Sequence, residues 1–324
     1  MDEKLIIKKY LEPLANSKDS LQLRDDVASI NVADEKYIVS NQESLVMGTH
    51  FFESDNPIYI AKKSLRVNLS DLISKGVTPY GYFLSLAMDN TIDENWVKLF
   101  SQGLAEDQKK YNITLLGGDT VAAPHGLFIT INMLSRTNDS MIKRSGACYG
   151  DNIYVTGTIG NSAIGLHLLK NKNDNLGLGQ LDIKKLIRKY HLPDPKIKII
   201  NLIKKFASSS MDTTDGLIND LFVLAGSSGK KFIIKKNLIP YTVSAKKFLN
   251  NYGDFDIALY GGDDYEVIFT SPMKYEDSLF EYAKKIKLKI TKIGNVGSTS
   301  KNPGLFDEKH MEFKASYYTF KHFK

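Results

Sequence analysis

The stretch that most restricts the fold of this chain is residues 211–220, with the sequence MDTTDGLIND. Asp212 and Asp215 are separated by two threonines, a glycine follows, and an apolar-periodic run that begins at Leu217 predicts a helix. Thr214 or Asp215 could cap that helix, and the glycine would let the backbone approach a ligand closely. Because neighbouring carboxylates repel each other, this pair is stable only with a cation between its members. Hard oxygen ligands of this kind suit Mg²⁺ or Ca²⁺.

Further carboxylates lie beside glycines or at the edges of apolar runs, where loops meet strands. They are Asp25, Asp26, Glu43, Asp71, Asp119, Asp263 and Asp264. These clusters are too many for one ion. Several Mg²⁺ ions bound to a polyphosphate would use them all, because Mg²⁺ is held by a few carboxylates together with phosphate oxygens.

The sequence lacks the signatures of several other enzyme classes. It has no His/Cys cluster with zinc spacing, no G-x-S-x-G, no H-R-D kinase signature and no Walker A loop. A nucleotide enzyme with this sequence must therefore hold phosphates through Asp–Mg²⁺ bridges and glycine turns.

The composition is that of an ordinary globular protein. A length of 324 residues predicts about two domains, and a hydrophobic fraction of 42% provides for a sizeable core. The single cysteine, Cys148, excludes an internal disulfide and fits a reducing compartment. The N-terminal segment has no signal-peptide organisation and no apolar run approaches membrane-spanning length, so we expect a cytoplasmic protein without membrane contact.

The positive charge does not by itself indicate a nucleic-acid-binding protein. The formal net charge is +6, and the lysines occur in short clusters scattered among helical segments. These clusters have no interleaved aromatic residues, so we interpret them as solvated helix faces and expect no nucleic-acid partner.

Periodicity predicts alternating helices and strands in two α/β domains, residues 1–138 and 139–324. Helices are expected at 1–20, 62–76, 94–110, from 161, after 180 and from 217, and strands at 37–39, 82–88, 113–116, 128–134, 153–156, 232–234 and 267–270. The tripeptide Gly-Gly-Asp ends an expected strand in each half, at 117–119 and 261–263. That repetition predicts two α/β halves that each place a Gly-Gly-Asp turn at the site.

Two polar positions allow more than one interpretation. Asp71 on the predicted helix 62–76 could lie on a solvated face, or could face a ligand together with Asn68 one turn away. A lone histidine beside a phenylalanine, such as His50, is more often structural than functional. Its place just after the ligand-type cluster Asn41-Gln42-Glu43 favours function.

Eight motifs together resemble the thiamine-monophosphate kinase family, whose superfamily includes aminoimidazole-ribonucleotide synthetase and selenophosphate synthetase. The matching stretches are residues 25–28, 45–51, 65–72, 117–120, 144–147, 154–157, 212–217 and 261–266. They follow the family's order over nearly the whole chain. None is specific alone, but the set is highly specific.

The resemblance implies a two-domain α/β fold of the synthetase superfamily, in which a mixed N-terminal sheet forms the interface of a homodimer. It also implies Mg²⁺- and ATP-dependent phosphorylation of thiamine monophosphate to thiamine diphosphate. By position, the metal ligands would be Asp26, Asn41, Gln42, Glu43, Asp71, Asp119, Asp212 and Asp215. The ATP contacts would be Gly118, Asp119, Arg144 and Thr214. The thiamine-monophosphate contacts would be His50, Asp263 and Tyr317. The catalytic residues would be Asp119, Asp212, Asp215 and Arg144.

The chain departs from the family pattern in four places. Arg24 replaces a glycine, and Asn41-Gln42-Glu43 replaces a run of two hydroxyl residues and an aspartate. Asp263 replaces a glutamate, and Tyr317 or its neighbour Tyr318 replaces an aromatic residue that is commonly tryptophan. Asparagine and glutamine carbonyls can still ligate Mg²⁺, and Glu43 keeps the charge with a longer reach.

The chemistry that the resemblance implies agrees with these residues. The acceptor is a phosphate oxygen that is already ionised near pH 7, so no general base is needed. The difficulty is to bring two anionic phosphates together in line, which metal ions and Arg144 would do by positioning and electrostatic stabilisation. We expect direct transfer rather than a phosphorylated His50. The alternatives are another ATP-dependent synthetase of the superfamily and an inactive nucleotide-binding homologue.

Overall fold

The computed structural model describes residues 3–23, 30, 32, 35–171, 174, 176–299 and 303–314. The chain forms two compact units. The N-terminal unit comprises Met1–Ile73 and Val77–Ser140, and the C-terminal unit comprises Ser74–Gly76 and Met141–Lys324. In the part of the chain described, no helix combines the length and the apolar character that crossing a bilayer requires.

The N-terminal unit is built on a four-stranded sheet with the order β1-β4-β2-β3. Its helices and strands are α1 (Glu3–Ile6), β1 (Tyr37–Val46), α2 (Pro57–Ser74), β2 (Pro79–Met88), α3 (Glu94–Tyr111), β3 (Thr114–Ala122) and β4 (Leu127–Thr137). Strand β4 pairs antiparallel with β1 and β2, and β2 pairs parallel with β3. The predicted helices at 62–76 and 94–110 and the strands at 82–88 and 128–134 are confirmed to within a few residues.

The single helix expected over residues 1–20 is wrong. Helix α1 passes into a π-helical turn, Ile7–Leu11, and then into two 3₁₀ turns, Glu12–Leu14 and Lys18–Leu23. Pro13 has no N–H group for a regular α-helical hydrogen bond, so an uninterrupted helix cannot continue through this position.

Side chains alternate along the strands between a buried face and an open face of this sheet. On β4 the buried side chains are Leu127, Ile129, Ile131 and Met133. The side chains between them, on the open face, are Phe128, Thr130, Asn132 and Leu134. Both long helices contact the buried face. Asp71 of α2 accepts a hydrogen bond from Asn41, and Gln108 of α3 accepts one from Tyr82.

Strand β3 runs through the first Gly-Gly-Asp sequence, where we expected it to end. Its ladder with β2 continues from Leu84↔Gly118 to Met88↔Ala122. A Cβ atom at Gly118 would lie 1.9 Å from the carbonyl oxygen of Leu84. The close approach of the two strands therefore explains this glycine without any ligand.

The C-terminal unit is built on a six-stranded sheet with the order β10-β7-β9-β5-β8-β6. Its strands are β5 (Asn152–Thr156), β6 (Ser209–Asp212), β7 (Lys230–Ile234), β8 (Val267–Ser271), β9 (Ile290–Thr299) and β10 (Gly304–Asp307). Its helices are α4 (Asn161–Lys170), α5 (Gln180–His191), α6 (Ile200–Phe206), α7 (Leu217–Ser228), α8 (Val243–Tyr252), α9 (Asp256–Tyr260) and α10 (Glu276–Lys285). All neighbouring strands pair antiparallel except β10 and β7. The core combines buried residues of α7 with residues from the sheet.

The predicted structural repetition of the two Gly-Gly-Asp sequences is wrong. Asp256–Tyr260 forms helix α9, so residues 261–263 follow a helix, whereas residues 117–119 lie inside a strand. A short apolar run does not by itself distinguish a buried strand from a buried helical turn. Here Ile257, Ala258 and Leu259 all pack into the core of the C-terminal unit.

One buried ion pair joins the two long helices of the N-terminal unit. Arg66 of α2 donates from Nε and Nη2 to the two carboxylate oxygens of Asp107 of α3, at 2.6 and 2.9 Å. Their side chains are only 9% and 2% exposed. The same helices also carry an exposed pair, Lys62 and Glu106.

We predict that Asp107→Asn lowers the free energy of unfolding by about 3–5 kcal/mol, because it leaves the guanidinium of Arg66 buried without its counter-charge. Glu106→Gln, on the same two helices, should cost no more than about 1 kcal/mol because water screens that pair. Urea unfolding of both variants measures the difference. Equal losses of unfolding free energy in the two variants would show that the buried pair stabilises the fold no more than the exposed pair.

Candidate active site

The first Asp-rich element of the site is the turn between β6 and α7, residues 212–216, here called the aspartate turn. Asp212 ends β6, where it pairs with Val267, and its side chain is buried. Asp215 is exposed. Gly216 has a φ of +103°, and a Cβ atom there would lie 2.5 Å from the backbone of Tyr260. Only glycine combines this backbone conformation with this close approach.

Helix α7 has no side-chain cap in the structure. Neither Thr214 nor Asp215 caps the helix with its side chain. Instead, Oδ2 of Asp220, in the first turn of α7, accepts hydrogen bonds from the backbone N–H groups of Thr214 and Asp215 at 2.9 and 3.2 Å. Asp220 therefore orients the peptide groups of two candidate site residues. Its sequence signal was an acidic residue in the first turn of a predicted helix.

The aspartate turn concentrates negative charge. Burial raises the pKa of Asp220 well above its ordinary value, and the charges of Asp215 and Asp212 raise it further, against the two backbone N–H groups that lower it. The charges of Asp212 and Asp215 thus add, by repulsion, to the effect of burial on the pKa of Asp220. A divalent cation at Asp212 and Asp215 would relieve that repulsion, and their oxygen ligands fit Mg²⁺.

A backbone ladder connects the aspartate turn to residues 261–266, here called the Gly-Gly-Asp loop. Thr213 N–H donates to the carbonyl oxygen of Glu266 at 2.7 Å, and Tyr265 N–H donates back to Thr213 at 2.8 Å. Asp263 N–H donates to the carbonyl oxygen of Thr214 at 2.9 Å. The aspartate turn and the Gly-Gly-Asp loop are therefore held side by side in the C-terminal unit.

The Gly-Gly-Asp loop holds the backbone of Asp263 in a strained conformation. Asp263 and Tyr265 both have left-handed backbones, with φ of +71° and +50°. The hydroxyl of Tyr265 donates to Oδ1 of Asp263 at 3.0 Å. Such backbone strain persists only where the surrounding structure fixes it, and it is frequent at binding sites. Sequence reasoning missed Tyr265.

Asp264, which lies between Asp263 and Tyr265 in the sequence, has a structural role. Its carboxylate accepts hydrogen bonds from the N–H groups of Gly160 and Ser162 at 2.5 and 3.3 Å, at the N-terminus of α4. Burial raises the pKa of Asp264 to about 7. The adjacent carboxylates Asp263 and Asp264 therefore serve different purposes.

Arg144 lies on an exposed loop beside β6, the strand that leads into the aspartate turn. The carbonyl oxygen of Lys143 accepts from Ser210 N–H on β6 at 3.0 Å, and that of Arg144 accepts from the Ser228 hydroxyl at 3.1 Å. Gly146 has a φ of +140°, and a Cβ atom there would lie 2.3 Å from the backbone oxygen of Ser208. The backbone that carries Arg144 is thus fixed while its side chain is exposed to solvent.

In the N-terminal unit, the structure brings Asn41 and Asp71 into contact. Nδ2 of Asn41 donates to Oδ2 of Asp71 at 2.8 Å and to Oδ1 of Asn68 at 3.1 Å. Asp71 therefore faces β1 rather than a solvated helix surface, and its role towards a ligand stays a prediction.

Other predicted ligands in this unit lie on opposite faces of the sheet. Glu43 shares the buried face with Asn41, whereas Gln42 alternates to the open face. Asp119 is also on the open face, because it pairs with Ser85 in the same cross-strand row as Thr130. Strands β1 and β3 are the two edges of the sheet, so within this unit Asp119 does not approach Glu43.

His50 occupies a tight turn at the end of β1. Its Nδ1 atom accepts a hydrogen bond from the N–H group of Val46 at 2.9 Å. A ring nitrogen that accepts from N–H carries no proton, so in the neutral ring the proton is on Nε2. His50 is therefore built to donate a hydrogen bond from Nε2.

Four of the predicted positions lie outside the described residues: Asp25, Asp26, Tyr317 and its alternative Tyr318. Among the residues that are described, no three His, Cys, Asp or Glu side chains are grouped as a ready metal cage. Mg²⁺ is commonly held by one or two carboxylates with water and substrate phosphates, an arrangement that pairs such as Asp212 and Asp215 fit.

Comparison with known proteins identifies the family and the fold of the chain. The family model for "AIR synthase related protein, N-terminal domain" matches residues 24–136. Thiamine-monophosphate kinase of Haemophilus influenzae is 34% identical over 300 residues, 91% of this chain and 89% of that protein. Its counterpart from Stenotrophomonas maltophilia K279a has a solved structure that superposes with a TM-score of 0.80 at 27% identity, covering 90% of this chain and 94% of that one.

A structure of AaThiL complexed with AMPPCP and TMP superposes with a TM-score of 0.78 at 27% identity, over 100% of this chain and 99% of that one. These matches confirm the predicted two-domain α/β fold. Sequence identity above 30% over most of both chains also confirms the predicted relationship: the chain belongs to the thiamine-monophosphate kinase family.

Proposed function

We propose that this protein transfers the γ-phosphoryl group of ATP to thiamine monophosphate and forms thiamine diphosphate. The observation that carries the proposal is the 34% identity to a thiamine-monophosphate kinase over 91% of the chain. The related AaThiL structure was obtained with AMPPCP, an ATP analogue, and TMP. The aspartate turn and the Gly-Gly-Asp loop, held together by their backbone ladder, give the proposal a structural basis in this chain.

The proposed metal ligands are carboxylates in separate groups. They are Asp26, Glu43, Asp71, Asp119, Asp212 and Asp215. We propose several Mg²⁺ ions rather than one, because these residues do not share one place. Asp212 is buried at the end of a strand, and Asp71 and Asp119 lie on opposite faces of the N-terminal sheet. Bound Mg²⁺ would neutralise the charges of the phosphates and fix the geometry of the phosphate groups.

The chain's own residues would bind and align the two phosphates. We propose that Gly118, Asp119, Arg144 and Thr214 contact ATP. Arg144 offers a guanidinium on a fixed backbone, which suits bidentate binding of a phosphate. The acceptor phosphate needs no base, so the residues act by alignment and charge, in one in-line displacement.

On the acceptor side we propose His50, Asp263 and Tyr317. Nε2 of His50 is the donor atom that could reach an acceptor oxygen, since Nδ1 accepts from Val46. The carboxylate of Asp263, oriented by the Tyr265 hydroxyl, suits the cationic thiazolium ring of thiamine monophosphate. An aromatic side chain at 317 would stack on such a ring for roughly 0.5–2 kcal/mol.

The assay that tests this proposal measures ADP formation from ATP and Mg²⁺ with and without thiamine monophosphate. We predict that activity requires both Mg²⁺ and the acceptor, and that EDTA abolishes it. Asp212→Asn should lower kcat roughly 100-fold, because it removes charge where the phosphates must be neutralised. The control is Asp182→Asn, which lies on α5 and accepts from the Ser244 hydroxyl, away from the aspartate turn.

Full turnover in EDTA, or turnover of Asp212→Asn equal to that of Asp182→Asn, would contradict this metal-assisted transfer. ATP consumption that needs an amide or a selenide instead of thiamine monophosphate would identify another synthetase of the superfamily.

We also propose that two copies of the chain associate through the open face of the N-terminal sheet. An apolar row crosses all four strands of this face at Val46, Phe128, Ala87 and Val121. Phe128 and Val121 are 44% and 46% exposed in the single chain. A second copy would remove this apolar surface from water.

Phe128→Glu should therefore convert the dimer to a monomer, because the charge would have to be buried in the apolar row. Light scattering coupled to size exclusion measures the mass against the 36.4 kDa of one chain. Tyr59→Glu, a similar substitution on α2, should leave the dimer intact. A monomeric unmodified protein, or a dimeric Phe128→Glu variant, would refute this interface.

A further inference from the structure

The side chain of Asn41 has an orientation that its expected role as a metal ligand does not explain. Its Nδ2 atom has three acceptors within reach: Oδ2 of Asp71 at 2.8 Å, Oδ1 of Asn68 at 3.1 Å and the carbonyl oxygen of Asn68 at 3.3 Å. A carboxylate and a backbone carbonyl only accept, so the atom that faces them must be the amide nitrogen. Oδ1, the atom that would ligate a cation, is directed elsewhere.

The surroundings hold the amide in this orientation. Asn68 is fully buried, and its own Nδ2 donates to the carbonyl oxygen of Ser64 at 2.9 Å, which fixes its Oδ1 as an acceptor for Asn41. Oδ1 of Asn41 is buried and accepts no hydrogen bond from any described residue. A buried oxygen without a donor is costly, so the three contacts of Nδ2 must outweigh that cost.

We propose that Asn41 is an amide latch on Asp71. Its amide N–H group donates to Oδ2 of Asp71, and a cation bound to that oxygen would take the place of the amide. Mg²⁺ must displace the amide to reach this oxygen. This inference rests on the proposed function only in taking Asp71 as a Mg²⁺ ligand. It gives Asn41 a positioning role in place of the ligand role that the resemblance implies.

The latch has a physical consequence that a ligand would not have. A ligand strengthens metal binding, so its removal weakens binding. The latch competes with the metal, so its removal strengthens binding at Asp71. It also offsets the charge of Asp71, which contacts the face of the sheet that carries Asn41 and Glu43.

The test is calorimetric titration of the full chain with Mg²⁺ alone, without nucleotide or acceptor. Asn41→Ala should bind Mg²⁺ roughly tenfold more tightly than the unmodified protein. That factor corresponds to the loss of one net hydrogen bond to a charged group, about 1.4 kcal/mol. Weaker or unchanged binding by Asn41→Ala would overturn the latch, and weaker binding would restore Asn41 as a ligand.

Asn41→Asp gives a second test that does not depend on the alanine variant. It replaces the donor with a second carboxylate beside Asp71, so the Tm in EDTA should fall and Mg²⁺ should raise it by more than in the unmodified protein. The matched control is Asn56→Asp near the start of α2, where the side-chain oxygen that accepts from Ile58 N–H is retained. Asn56 is 15 residues before Asp71, about 22 Å along the helix axis.

An Asn41→Asp variant with the Tm and Mg²⁺ response of the Asn56→Asp control would overturn the latch. A failure of the proposed function is distinguishable from these outcomes. It would appear as a protein that does not phosphorylate thiamine monophosphate, whatever the order of Mg²⁺ affinities among the variants.

Discussion

Repulsion between neighbouring carboxylates is the constraint on which the local structure of the site depends. In the C-terminal unit, Asp212, Asp215 and Asp220 lie within nine positions of one another, and backbone N–H groups donate to Asp220. In the N-terminal unit, the side-chain amide of Asn41 offsets the charge of Asp71. In both places N–H groups offset part of the negative charge of the carboxylates.

The backbone ladder between residues 213–214 and 263–266 gives this arrangement its rigidity. Because the hydrogen bonds join main-chain atoms, the spacing between the aspartate turn and the Gly-Gly-Asp loop does not depend on side-chain rotamers. Gly216 and Gly262 are required for it, since Cβ atoms there would lie 2.5 Å and 2.2 Å from backbone atoms of Tyr260 and Thr214. A site that must align two phosphates benefits from such fixed elements, because small misplacements reduce the rate of transfer strongly.

The parts of the fold that could be predicted from sequence are those with a long periodic signal. Helices α2 and α3 carry apolar stripes over several turns and strand β4 alternates over its whole length, so their positions followed from periodicity. The position of helix α9 did not follow from periodicity, because four of its five residues are buried and a run this short shows no helical alternation of buried and exposed side chains. The contact of Asp220 with the aspartate turn and the contact of Asn41 with Asp71 are not encoded by the spacing of residues along the sequence.

The central claim of this account is that the protein brings two phosphates together and transfers the phosphoryl group directly, without a covalent intermediate on the enzyme. His50 supports it, since its Nδ1 lone pair is engaged by Val46 N–H and its Nε2 carries the proton in the neutral ring. The most direct measurement is the stereochemical outcome with ATP whose γ-phosphorus is made chiral by sulfur and an oxygen isotope. A single in-line displacement predicts inversion of configuration in the product. Retention would reveal two successive displacements through a phosphorylated enzyme and would contradict the account.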